Sequence, residues 1–131
     1  MEREKKSRLS VRIYYEDTDC GGVVYYANYL RYFERARTEY LRERGVDLGT
    51  WGEKGLYFVV SRVEIVYKAP ARYSDLLEIE TAVTDLSKAS LTFSHAVRDQ
   101  NGRLIADSTV VLVCVSQSRP RRIPDEIASI I

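Results

Sequence analysis

One stretch of this chain has a helical period and nearly everything after it has the period of strands, and that imbalance limits the folds open to it. From about Tyr26 to Arg44, apolar residues recur at three- and four-residue steps: Tyr26, Tyr29, Leu30, Phe33, Ala36, Tyr40 and Leu41. Arg31, Glu34, Arg35, Glu39, Arg42 and Glu43 fill the other side. Arg42 and Arg44 suit the negative end of the helix dipole and Gly45 suits a left-handed stop, so the spacing predicts one helix of roughly 28 Å. Before it, Leu9 to Tyr15 reads as a first strand. After a connector from Val46 to Gly55, with Trp51 as an apolar plug, the period falls to two. Val63, Ile65 and Tyr67 alternate with charged neighbours until Ala69-Pro70 marks a turn or sheet edge. Leu77 to Val83 and Leu91 to Val97 give two more strands, Asn101-Gly102 a hairpin turn, and Leu104 to Ser116 a last, interior strand. The order β, α, β, β, β, β predicts an α+β fold with a five-stranded antiparallel sheet. One helix cannot cover both faces of such a sheet, so its open edge or face calls for a second copy.

The 131 residues suit a single domain spanning 1–131, with short flexible ends at about 1–7 and 119–131. Its 20 basic and 19 acidic residues are interspersed, which gives no electrostatic footprint for nucleic acid. The apolar run from Val110 to Val115 is far shorter than the roughly 20 residues that span a bilayer, so no membrane insertion is expected. The polar start and two dissimilar cysteines, Cys20 and Cys114, point to the cytoplasm. With a single histidine, His95, and no ligand spacing, no metal site and no Cys-His nucleophile are expected.

The segment YYEDTDCGGVVYYANYLRYFERARTEYLRERG carries an acidic turn and a Gly-Gly pair straight into the helix. Unpaired N–H groups of a first helical turn can hold a developing oxyanion, so Asp17 or Asp19 beside that turn suggests acyl chemistry. Equally, either acid could cap the helix. No Ser, Thr or Asp immediately precedes Tyr26, which leaves the helix donors free for a carbonyl. Along an extended segment the two acids would point the same way, so their spacing does not choose between them.

At this point the sequence resembles the hotdog-fold acyl-CoA thioesterases, in which a curved antiparallel sheet wraps one long helix and two protomers join their sheets. More narrowly, Asp-x-x-Gly-x-Val-Tyr-x-x-x-Tyr followed by Glu-Arg-Ala-Arg looks like the YbgC-type members of the 4-hydroxybenzoyl-CoA thioesterase family. The segments VVSRVEIVYKAPARYSDLLEIET and SLTF are also similar, so the resemblance runs from about Leu9 to Gln117. It implies hydrolysis of an acyl-CoA thioester carrying a short-chain or aromatic acyl group. Coenzyme A is then part of the substrate and no cofactor is needed. It puts the catalytic carboxylate on Asp19, the turn on Gly22 and the oxyanion donor near Tyr25 to Ala27. Asp19 would activate water or attack the carbonyl itself, and no metal is required.

YbgC-type members usually carry His where this chain has Tyr26, whereas the 4-hydroxybenzoyl-CoA branch has Tyr there. A phenol could donate to or orient the substrate but is a poor proton shuttle near neutrality. Tyr15 matches a tyrosine that lines the site. Lys88, Ser90 and Arg121 fall where the nucleotide is bound, and Val59 to Ser61 would line the acyl pocket facing the partner's Asp19. The resemblance also implies a homodimer that pairs into a tetramer. A hotdog dehydratase would want a histidine near the helix, and an acyl-ligand sensor would need an output domain. A non-catalytic protein of the same fold, binding an acyl ligand or associated with the cell envelope, is the alternative.

Overall fold

The computed structural model describes residues 5–131. Strand β1 (Lys6–Arg12) leads through a three-residue 3-10 turn, Tyr15–Asp17, to helix α1 (Asn28–Glu43). A short α2 (Leu48–Glu53) precedes strands β2 (Leu56–Tyr67), β3 (Leu76–Leu86), β4 (Ser90–Arg98) and β5 (Leu104–Ser116). The chain closes with β6 (Arg119–Pro120) and α3 (Asp125–Ala128). The sheet order is β1-β3-β4-β5-β2, antiparallel throughout, with β6 added to β5. A curled sheet around one helix is the α+β hotdog architecture that the resemblance implied. Among the described residues no helix is long and apolar enough to cross a membrane.

Period decides which faces meet. Leu77 and Ile79 of β3, Leu91, Phe93 and Val97 of β4, and Val110 and Cys114 of β5 turn inward and are buried. They close on Tyr29, Tyr32, Phe33, Ala36, Tyr40 and Leu41 of α1. The helix begins at Asn28 rather than Tyr26, because Tyr26 and Ala27 form a turn closed by Asn28 N–H donating to the Tyr25 carbonyl at 2.9 Å. Leu30, expected in the apolar stripe, is 44% exposed; Tyr32 and Arg37 take the buried places instead. At the far end Gly45 adopts φ +84°, the left-handed stop that its position suggested.

Two segments depart from expectation. The connector contains α2, whose first turn is capped by Asp47 accepting from Gly49 N–H, and Trp51 packs from it onto the core. The end from 119, expected to be flexible, is folded down: Ile123 and Ile127 are buried against Tyr40, Leu56 and Phe93. At the other end, Lys6 and Ser7 belong to β1, and residues 1–4 of the expected flexible start lie outside the described residues.

A polar row crosses the inner face of this sheet. Ser7, Thr81, His95 and Ser108 are register neighbours on β1, β3, β4 and β5. His95 stacks on Phe33 with ring centroids 4.7 Å apart. Its Nε2 accepts from Arg37 at 3.4 Å, so the neutral ring carries its proton on Nδ1, 2.9 Å from Thr81 Oγ1. Burial first, and the Arg37 charge second, depress the His95 pKa to about 3. Among the described residues Ser108 Oγ has no hydrogen-bond partner.

Candidate active site

The loop between β1 and α1 is a small hairpin whose arms are tied by Asp19 N–H donating to the Val23 carbonyl at 2.9 Å and by the Thr18–Val24 bridge. Its tip turns at Gly22, with φ +81°, where a residue bearing Cβ would be strained. A Cβ at Gly21 would come 3.2 Å from Asp19 Oδ1, so the tip holds its small residues beside the acid.

The two acids go to different places. The 3-10 turn at Tyr15–Asp17 breaks the extended spacing that would have aimed them alike. Asp17 turns inward: Oδ2 accepts from Tyr14 N–H at 2.8 Å and Oδ1 from the Tyr32 hydroxyl at 2.9 Å. Asp19 stays exposed at the tip, where Oδ1 accepts from Gly21 N–H at 2.8 Å and lies 3.5 Å from Val23 N. Its Oδ2 makes no hydrogen bond among the described residues.

The start of α1 supplies donors. The cap residue Ala27 makes no side-chain cap. Tyr25 N–H is spent on the Asp17 carbonyl at 2.9 Å, and Asn28 N–H on Tyr25. Among the described residues no acceptor engages the N–H groups of Tyr26 or Ala27. The Tyr67 hydroxyl reaches over from β2 and donates to the Tyr26 carbonyl at 3.0 Å, which orients that turn.

Val23 and Val24 of the hairpin, Tyr26 and Tyr29 of the helix start, and the segment from Tyr67 to Pro70 enclose a depression of about 340 Å³. The Tyr67 ring meets Tyr29 at 5.6 Å and Tyr26 at 6.5 Å, both edge-on. Burial pushes the Tyr29 phenol up to about 12 and also raises Tyr67, so both remain protonated donors near neutrality. Tyr15 stacks flat on Tyr73 at 3.8 Å on the exposed side of the turn.

The remaining expected residues gather elsewhere. Val59 and Ser90 lie in one cross-strand row through Val113, and Ser61 Oγ donates to the Val111 carbonyl at 3.3 Å. Lys88 and Arg121 join them, since Ile123 N–H donates to the Lys88 carbonyl and Arg121 N–H to the Cys114 carbonyl. Val59 and Tyr67 sit near opposite ends of β2, about 25 Å apart at strand rise. Within one protomer the expected site is therefore two half-sites, Asp19 with Gly22 and Tyr26 at one end and Val59, Ser61, Lys88, Ser90 and Arg121 at the other.

Asn28 and Tyr32 at the acidic turn, and Tyr29 and Tyr67 at the depression, were not expected from the sequence. Asn28 and Tyr32 share a helical face at i, i+4 behind the acidic turn, a spacing that could have flagged them.

The model of the thioesterase-like superfamily matches residues 13–131. The chain belongs to that superfamily. It is 40% identical over 124 residues to the acyl-CoA thioester hydrolase YbgC of Escherichia coli O157:H7, with 93% of this chain and 92% of that protein covered. Against the acyl-CoA thioesterase YbgC of Haemophilus influenzae it is 42% identical over 120 residues, covering 89% and 88%. The crystal structure of a hypothetical protein from Aquifex aeolicus superposes with a TM-score of 0.91 at 30% identity, covering 95% of this chain and 98% of that one. The superfamily match thus includes the hairpin, the helix and both half-sites.

Proposed function

We infer that this chain is an acyl-CoA thioesterase in which Asp19 is the acting acid, and that each active site is shared between two protomers. The YbgC relatives are acyl-CoA thioester hydrolases by name, and the match to them spans both half-sites. The observation that carries the assignment of Asp19 is its place opposite free donors: an exposed carboxylate with an uncommitted oxygen on one arm of the hairpin whose other arm leads into an uncapped helix start.

In this reading the thioester carbonyl lies against the N–H groups of Tyr26 and Ala27, with the acyl group in the tyrosine-lined depression. Asp19 Oδ2 takes a proton from a water molecule as its oxygen bonds to the carbonyl carbon. Negative charge then collects on the carbonyl oxygen, where the helix-start donors stabilise it. Collapse breaks the C–S bond and the thiolate of coenzyme A leaves, taking up a proton. The Tyr26 phenol orients the acyl group and moves no proton.

The second half-site comes from a partner. Strand β2 is an edge of the sheet, and Val59, Val60, Val63 and Val66 on it are all exposed. Two such strands paired antiparallel about their midpoint set the Leu56 end of each beside the Tyr67 end of the other. That brings the partner's Val59 and Ser61 to the acyl group, and Lys88, Ser90 and Arg121 to the nucleotide of coenzyme A. Dimers pair further into a tetramer, and the free thiols of Cys20 and Cys114 suit the reducing cytoplasm.

The test is a panel of acetyl-, hexanoyl- and benzoyl-CoA read with a thiol-reactive dye. Asp19→Asn keeps size and removes the base, and should cut turnover by roughly 10² to 10⁴. Hydrolysis of every active thioester at near wild-type rate would overturn the assignment.

A further inference from the structure

Four hydrogen bonds converge on Asp17, the acid that the mechanism does not use. Its carboxylate takes the Tyr14 N–H on Oδ2 and the Tyr32 hydroxyl on Oδ1. Its carbonyl takes the Tyr25 N–H at 2.9 Å and the Asn28 side-chain amide at 2.8 Å. Capping the 3-10 turn requires only the contact with Tyr14. The other three bind the turn that leads into α1 at Tyr25, its first residue Asn28 and its second turn at Tyr32, and so have a different use.

We propose that Asp17 is a positioning residue, which with Asn28 and Tyr32 fixes the separation between the Asp19 carboxylate and the N–H donors at the start of α1. The inference rests on the reading of Asp19 as the acting acid. Asp19 lies two residues beyond Asp17 on one arm, and Tyr26 follows directly on Tyr25, so one peptide carbonyl anchors both the base and the oxyanion donors. The base must meet the attacking water while the donors meet the carbonyl oxygen, and a misplacement of about 1 Å between such groups can cost on the order of 10²-fold in rate. Tyr32 is 1% exposed, so its ring is held by packing and its hydroxyl has a fixed origin. Burial and the bond to Asp17 raise its pKa, which keeps the phenol a donor at every working pH.

Tyr32→Phe removes the link and keeps the ring, so it isolates positioning from packing. With hexanoyl-CoA or benzoyl-CoA, whichever the wild type turns over faster, Tyr32→Phe should lower kcat about tenfold or more and leave KM within threefold. Asp17→Asn still accepts from Tyr14 and still offers Tyr32 a partner, so it should retain most of what Asp17→Ala loses. A general weakening of the fold would multiply through any background. Positioning that acts through Asp19 would not: on Asp19→Asn, assayed for its residual turnover, adding Tyr32→Phe should cost less than twofold. The proposal falls if Tyr32→Phe keeps kcat within twofold, or if its loss is undiminished on Asp19→Asn. If Asp19→Asn is itself near wild type, the reading of the catalytic acid has failed and the positioning role fails with it. Loss with Asp19→Asn but none with Tyr32→Phe sinks only the positioning role.

Discussion

At the scale of single residues, the chain separates side chains open to a ligand from side chains sealed inside the fold. Tyr26 is 62% exposed beside the depression, and its hydroxyl is the part that the mechanism does not need as an acid. Tyr26→Phe should therefore lose part of the rate with a rise in KM, whereas Tyr26→His should be tolerated; equal kinetics for wild type and Tyr26→Phe would return the residue to packing. His95 is the opposite case. Its pKa of about 3 in the fold lies below its ordinary 6.5, so below pH 6.5 the unfolded chain binds a proton that the folded chain refuses. Stability contributed by the neutral ring is complete above pH 6.5 and is lost as pH falls toward 3, at about 1.4 kcal/mol per pH unit. By pH 5 the loss is about 2 kcal/mol. Urea unfolding at pH 7 and pH 5 should show it, and His95→Gln, which cannot titrate, should flatten the difference.

At the scale of elements, the tail and the helix are held by burial. Ile127 of α3 is fully buried, so Ile127→Ala should cost about 2 to 4 kcal/mol by urea unfolding. A change below about 0.5 kcal/mol would mean that the tail lies loosely on the core. The sequence foreshadowed neither the tail nor α2, and the reason is the same for both. Each is shorter than two full apolar repeats, so a period cannot appear; α2 also contains Gly49 and Gly52, which read as connector. The long elements were legible because their periods run for many residues: Leu77 to Val83 and Leu91 to Val97 alternate without a break, and Asn101-Gly102 does turn the chain, with Gly102 at φ +80°. Within the site, the Asp19 hairpin and its glycines were legible from the motif. The separate fates of Asp17 and Asp19 were not, because a 3-10 turn of three residues leaves no pattern and reorients everything after it. The distance between the half-sites was likewise hidden, since it depends on which strand ends at which edge.

At the scale of the whole molecule, the two half-sites make a prediction that one protomer cannot satisfy. Sedimentation at assay concentration should find a dimer or larger, and an active monomer would sink the shared site. Asp19→Asn and Val59→Trp should each give inactive homodimers. A heterodimer of the two keeps one intact site and should regain up to about half of the wild-type turnover per dimer site pair, by counting sites in a two-fold assembly. No recovery in verified heterodimers would mean that the partner's Val59 lies away from the acid. The bare edge of β2 also bears on how the chain is made. A protomer on its own presents an unpaired edge strand lined with exposed valines, and such an edge is a template for any extended chain available. Slow expression should therefore give more soluble protein than fast expression. A lysine in place of Val63 should protect the lone chain from aggregation at the expense of assembly.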